Sequence, residues 1–247
     1  MEKANIAIES GKAKENGKES KGNIPGNVIS LADVRNQKSQ SFMPYTQFGY
    51  LYPTRPENHV MPGLLGFYEK QNWIAQIKKC GVCGLIIVSP SKEITVMNRH
   101  NEVHKLWKPT NEIETVFKSL PNKWYVFCAE ILDSKTKHIK NTVYLFDMLV
   151  SDNQLMIGST YIDRYNKMKN LFKIRGTNFQ YDIVNDQFWI ANNHPTNFLN
   201  IFNSLTSPED EGLVLKNPQG KLELPYKPTA NSGWQVKCRK GNKSYGF

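Results

Sequence analysis

Trp73-Ile74-Ala75-Gln76-Ile77-Lys78-Lys79-Cys80-Gly81 carries an apolar strand pattern into a glycine turn, with two lysines at the junction. Alternation of side chains along such a strand puts Gln76 and Lys78 on one face. Gly81 lets the backbone turn close to a phosphate. A lysine three residues before a glycine is common by chance, and Gln76 suits an edge strand equally well. The stretch gains its meaning from the rest of the chain.

Five further stretches come in order: Asn98-Arg99, Ala129-Glu130, Tyr144-Leu145-Phe146-Asp147, Glu211-Gly212-Leu213-Val214-Leu215-Lys216 and Lys237-Cys238-Arg239. Each has an ordinary reading. Asn98 to Asn101 reads as a polar turn. Glu130 ends the apolar strand Trp124 to Ala129, where an unpartnered carboxylate is costly, so a salt bridge would explain it. Phe146 reads as a core residue of a strand. Glu209 and Asp210 read as loop acids. Lys237 and Arg239 share one strand face with Cys238 on the other, as any basic strand would.

Taken as an ordered set from about Trp73 to Lys240, the stretches resemble the covalent nucleotidyltransferase superfamily of ATP-dependent DNA ligases, RNA ligases and mRNA capping enzymes. The resemblance implies that Lys78 carries a nucleoside monophosphate, which requires a neutral amine. Lys79, Lys237 and Arg239 are the nearby cations that would favour that form. It implies that Gln76 accepts a hydrogen bond from the adenine amino group. Arg99 would contact the ribose or the acceptor phosphate. Glu130 would take the ribose hydroxyl or a metal-bound water, and Phe146 would stack on the purine. Glu211 is given to a divalent metal and Lys216 to phosphate, while Lys237 and Arg239 grip the triphosphate as pyrophosphate leaves. ATP with Mg2+ or Mn2+ is the implied cofactor set, and DNA or RNA ends or nicks are the implied partner. The pattern departs from the family at Cys80, Cys83 and Arg239, where Asp, Arg and Lys are usual.

The reading is therefore an ATP-dependent polynucleotide ligase joining 5′-phosphate to 3′-hydroxyl ends. A capping-type guanylyltransferase, a nucleotide- or nucleic-acid-binding module without turnover, and a basic scaffold protein are the alternatives. The run from Tyr144 to Leu171, with Arg164 inside it, is closer to DNA ligases and capping enzymes. No room for an oligonucleotide-binding domain is expected beyond Arg239, as in RNA ligases.

Composition agrees with this setting. A net charge of +10 over 247 residues favours a polyanionic partner, and 39% hydrophobic residues suit a folded chain. No apolar run is long enough to span a bilayer, and no secretory signal comes after the first charges. Cys80, Cys83, Cys128 and Cys238 suggest a reduced, cytoplasmic compartment. The Cys80–Cys83 pair lacks the second pair a zinc site needs and precedes a strand rather than opening a helix. His100, Glu102 and His104 do not have the zinc-protease order, and Gly11 to Glu19 is too long for a phosphate loop.

The pattern predicts an α+β fold with antiparallel sheets: a basic N-terminal tail over residues 1–40, order beginning near Phe42 to Tyr52, and a nucleotidyltransferase domain over 41–247. Helices are expected over Leu64–Lys70, Asn111–Ser119, Tyr161–Phe172 and Phe198–Leu205. Strands are expected over Trp73–Lys78, Leu85–Val88, Glu93–Met97, Trp124–Leu132, Asn141–Val150 and Trp234–Arg239. Leu213–Lys216 and Lys221–Leu224 should form a hairpin around Asn217-Pro218-Gln219-Gly220.

Overall fold

A computed structural model of the chain describes residues 43–44, 51, 55–56, 58–100, 102–223 and 232–241, all within the unit Lys38–Phe247. The tail expected over 1–40 lies outside them, as does most of the segment from Phe42 to Tyr52. The strands are β1 (Met43–Pro44), β2 (Ile74–Lys79), β3 (Val82–Val88), β4 (Ile94–Asn98), β5 (Tyr125–Leu132) and β6 (Thr142–Ser151). They continue with β7 (Gln154–Leu155), β8 (Gly176–Thr177), β9 (Tyr181–Asn185), β10 (Phe188–Ala191), β11 (Asp210–Lys216) and β12 (Gln235–Arg239). The helices are α1 (Leu65–Lys70), α2 (Asn111–Lys118), α3 (Tyr161–Asn170) and α4 (Phe198–Ser204). None of the described helices is long and apolar enough to cross a membrane.

Two sheets form. The larger has nine strands in the order β4-β3-β5-β6-β10-β9-β8, with β7 beside β6 and β1 beside β7; the smaller runs β12-β11-β2. Pairing is antiparallel except between β6 and β10, where Phe188, Trp189 and Ile190 run parallel to Val143, Tyr144 and Leu145. The antiparallel sheets expected from the sequence thus include one parallel pairing. A long connection through α3 brings the chain back across β6 in the same direction, as a parallel pairing requires.

The helices form where capping and periodicity agree. The Thr110 hydroxyl accepts from Ile113 N to open α2, and Ile113 and Phe117 are its buried residues. Thr160 does the same for α3 through Asp163 N. Phe117, Phe127, Phe172 and Phe188 interlock beneath these helices with ring centroids 4.9–6.4 Å apart, within the main core. A second core lies against the small sheet, where Ala75, Ile77, Leu213, Leu215, Val236 and Cys238 meet Leu65 of α1 and Phe198, Ile201 and Phe202 of α4.

The expected hairpin does not form. Asn217 to Gly220 makes its turn, with Gly220 N donating to Asn217 O at 2.9 Å. The chain then leaves the small sheet: Lys221 bridges Thr160, and Leu222 N donates to Ser159 O. β11 takes β12 and β2 as its neighbours instead.

Arg164 ties α3 to the large sheet. It is fully buried and bidentate to Asp147 of β6 at 3.0 and 2.9 Å, donates to Ser159 O at 2.7 Å, and lies over the Trp234 ring at 5.2 Å. Removing one partner of a buried pair strands the other's charge. Arg164→Met should lower the unfolding free energy by about 3–5 kcal/mol. Urea titration reads this, and a loss below about 1 kcal/mol would contradict it.

Candidate active site

β2, β11 and β12 stack residues into cross-strand rows: Lys78–Gly212–Arg239, Gln76–Val214–Lys237 and Ile74–Lys216–Gln235. Rows two residues apart share a face, so Gln76, Lys78, Lys216, Lys237 and Arg239 all point one way. That face looks onto a cavity of about 730 Å³ between the sheets. Gly81, Arg99, Glu130, Phe146 and Glu211 line the same cavity, so all ten residues singled out in the sequence meet there.

Glu211 reaches the cavity through an irregularity. The register passes from Asp210↔Lys79 to Gly212↔Lys78, leaving Glu211 as a surplus residue in a β-bulge. In a regular strand Glu211 would share the face of Leu213 and Leu215. Gly212 has φ +137°, and a Cβ there would lie 2.1 Å from Cys238 O, so no other residue fits.

Lys78 Nζ donates to Glu211 Oε2 at 2.5 Å, and Arg239 Nε lies 3.4 Å from the same oxygen. Burial acts to raise the Glu211 pKa, but the charge and hydrogen bond of Lys78, then Arg239, hold it below its ordinary value. The Cys80 thiol also bonds to Glu211, and burial pushes its pKa up. Cys83, paired with Glu130 across β3 and β5, is pushed up to about 11 by burial.

Glu130 Oε1 accepts from Gly81 N at 3.1 Å. A Cβ on Gly81 would lie 2.6 Å from Ile131 O and 2.7 Å from Glu130 Cγ. The glycine is thus required by the approach of the turn to β5. Lys216 is buried, donates to Phe146 O at 3.1 Å and sits 4.2 Å from the Tyr161 ring centroid. Burial pushes its pKa down to about 8, against the pull of Asp147. Gln76 is 3% exposed and its Nε2 has no hydrogen-bond partner. A buried idle donor in a cavity wall is a place for a ligand acceptor.

The two lysines of the opening stretch have separate fates. Lys79 is buried in an ion pair with Asp210 at 2.6 Å, so its charge is already compensated and cannot serve as a bare cation beside Lys78. The sequence reading missed Arg55, which also lines the cavity. Its Nη2 reaches Arg99 O at 3.5 Å and its Nε is buried without a partner. Its proline-flanked loop carries no periodicity that would have marked it.

Among the described residues no group of three or more His, Cys, Asp and Glu could hold a metal by itself, and all four cysteines are free. Glu211 and Glu130, both near Lys78, fit the other kind of site, in which one or two carboxylates share a hard cation with substrate phosphates.

Solved structures that share this fold include DNA ligases. A mycobacterial DNA ligase D complexed with ATP and MES is 16% identical, with TM-score 0.55 over 78% of this chain and 61% of that one. The ligase domain of M. tuberculosis LigD is 15% identical, with TM-score 0.54 over 76% of this chain and 59% of that one. The chain thus spans about three fifths of the length of these structures. A comparison with curated proteins by sequence gives no match. The fold is that of a ligase nucleotidyltransferase domain. Residues 93–237, more than half of the chain, match the model of the ATP-dependent DNA ligase domain, and the chain belongs to that family. The matched segment starts after β3 and leaves Lys78 to Gly81 outside it.

Burial raises the Glu130 pKa from 4.5 to about 7, with Lys78 opposing. Between those values the folded chain keeps a proton that the unfolded chain has released, so this group costs stability as pH rises. Glu130→Gln lacks that cost. Its stability relative to the wild type should climb from about pH 4.5 to about pH 7 and then level off. Denaturant melts across that range test it; a difference independent of pH would refute it.

Proposed function

We propose that the chain is the adenylation domain of an ATP-dependent polynucleotide ligase, with Lys78 as the nucleophile. The observation that carries this reading is the Lys78–Glu211 pair at 2.5 Å on a cavity face shared with Lys237 and Arg239. In this reading Glu211, 2.5 Å from Lys78 Nζ, takes its proton. The neutral amine attacks the α-phosphorus of ATP, a P–N bond forms, and the bond to the bridging oxygen breaks as pyrophosphate leaves. Lys237 and Arg239 offset the charge on that leaving group. A 5′-phosphate oxygen then attacks the AMP phosphorus, and Lys78 recovers its proton as the P–N bond breaks. Finally the oxygen of a 3′-hydroxyl attacks the activated 5′-phosphorus, its proton passes to solvent, a phosphodiester forms and AMP leaves as the pyrophosphate bond breaks.

Gln76 and Phe146 are assigned to adenine, the first by hydrogen bonding and the second by stacking. Arg99 is assigned to the ribose or the acceptor phosphate, Glu130 to the ribose hydroxyl, Lys216 to phosphate and Gly81 to the close turn beside Lys78. Glu211 and Glu130 would hold Mg2+ or Mn2+, which supplies neutralisation of phosphate charge when bound. The family match favours DNA ends as the acceptor, and the net charge of +10 favours a polyanion in general. The adenylation step is assigned to residues 41–247, with 1–40 dispensable for it.

Incubation with ATP and Mg2+ should add one AMP to the intact mass, mapped to Lys78 by peptide analysis and absent in Lys78→Ala. EDTA should abolish the gain. An adduct retained in Lys78→Ala would sink the assignment. GTP reacting at least as fast as ATP would turn the reading toward capping chemistry. A wild type that forms the adduct but joins neither DNA nor RNA ends, nicked or single-stranded, would overturn ligation.

A further inference from the structure

On the side of β2 away from Lys78, three polar side chains close a triangle. Lys79 Nζ donates to Asp210 Oδ1 at 2.6 Å and to Gln180 Oε1 at 2.5 Å, and Gln180 Nε2 donates to Asp210 Oδ2 at 2.9 Å. Both Asp210 oxygens and both ends of the Gln180 amide are used. Lys79 is 4% exposed and Asp210 6%, and the Tyr181 ring lies 5.7 Å from Lys79 Nζ. Gln180 comes from the turn between β8 and β9, so the triangle also joins the edge of the large sheet to the small one.

We propose that Lys79, Asp210 and Gln180 act as positioning residues that set which carboxylate meets Lys78. Two adjacent bases, Lys78 and Lys79, face two adjacent acids, Asp210 and Glu211. In an unbulged antiparallel ladder continuing the pairing of Gly212 with Lys78, Glu211 would stand opposite Lys79. The observed register instead holds Asp210 opposite Lys79 and leaves Glu211 surplus, turned to Lys78. A slip of one residue reverses every side chain's face. Gly212 permits the bulge, but it does not say which acid goes to which base. The buried triangle does, because only Asp210 in this register satisfies both Lys79 and Gln180. Backbone bonds from Cys80 N to Glu209 O at 2.8 Å and from Asp210 N to Ser207 O at 3.1 Å hold the same strand end. Fixing a register is the best attested use of a buried ion pair, whose net contribution to stability is small.

The inference rests on the reading of Lys78 as nucleophile, so its test carries a readout that needs no catalysis. In Lys79→Met/Asp210→Leu both charges leave together and apolar groups of similar size replace them, so neither charge is stranded. The variant should keep the wild-type melting temperature within a few degrees. Its rate of AMP-adduct formation should fall roughly 100-fold, the size of loss expected from a misplacement of about 1 Å. Lys79→Arg, which keeps the charge and its donors, should retain most of the rate.

The second readout is pulse labelling of Lys78 by acetic anhydride at a fixed pH, followed by peptide mass spectrometry. Wild-type Lys78, held by Glu211, should react slowly and Glu211→Gln quickly. The double variant should react like Glu211→Gln. Should the double variant fail to fold, Gln180→Leu carries the same comparison, because it removes one of Asp210's two donors and leaves the ion pair. A folded variant whose Lys78 is protected as in the wild type, or whose adduct forms at the wild-type rate, overturns the positioning role. A wild type that forms no adduct overturns the reading of the reaction, while the labelling comparison still decides the positioning.

Discussion

Everything at the cavity depends on a place where a side chain cannot exist. At Gly212 the carbonyl of Cys238 occupies the space of a Cβ, and the backbone takes a φ that L-residues rarely adopt. This is what lets a central strand serve two demands. Leu213 and Leu215 must fill the core against α4, and by alternation Glu211 would follow them into it. The bulge removes that conflict, because the apolar face stays apolar while the carboxylate crosses to the side where Lys78 and Arg239 wait. Without it Glu211 would turn to the side of Lys79, and Lys78 would lose its carboxylate partner.

The electrostatics of the cavity derive from the same arrangement. Its floor, on the small sheet, presents Lys78, Lys216, Lys237 and Arg239 against Glu211, and Arg55 and Arg99 stand on the wall. An excess of fixed cations inside a cleft is expensive unless an anion joins it, so the cavity favours an anionic occupant. Lys216 illustrates the strain. Buried among aromatic rings, with a carbonyl and the more distant Asp147 to hold its charge, it is pushed toward neutrality.

Much of this was legible in the chain, and for a physical reason. Strand alternation is local, so Gln76 with Lys78 and Lys237 with Arg239 could be put on common faces without knowing the partners. What sequence could not show was that Lys79, read as a bare cation beside Lys78, is buried in an ion pair. Both are lysines at a strand end, and their difference lies in Asp210 and Gln180, which are remote in the chain. The turn at Asn217 to Gly220 was readable from its residues, but not where the chain went next, because Thr160 and Ser159 are the partners. Strands β8 to β10 are hidden for a similar reason. Asp182, Asn185, Asp186 and Gln187 break the apolar pattern there, and β10 is a strand because of its pairing with β6. The bulge at Glu211 has only Gly212 as a local sign. Nothing in the apolar periodicity signals it, which is why Asp210 reads locally as no more than a loop acid.

The small sheet also has a consequence in time. Its strand β2 is separated from β11 and β12 by nearly the whole of the large sheet's sequence, and Asn58 to Val60 bond to Lys237 on its edge. The large sheet has neighbours in succession, β3 with β4 and β5 with β6, and can zip from short loops. The pairing of β2 with β11 must wait for the closure of a very long one, and closure of long loops is slow. On the ribosome, β2 with Lys78 emerges early and stays without its central partner until β11 has been made. The face that gathers the cavity's cations is therefore among the last parts of the described chain to form, and its apolar reverse among the last to be covered.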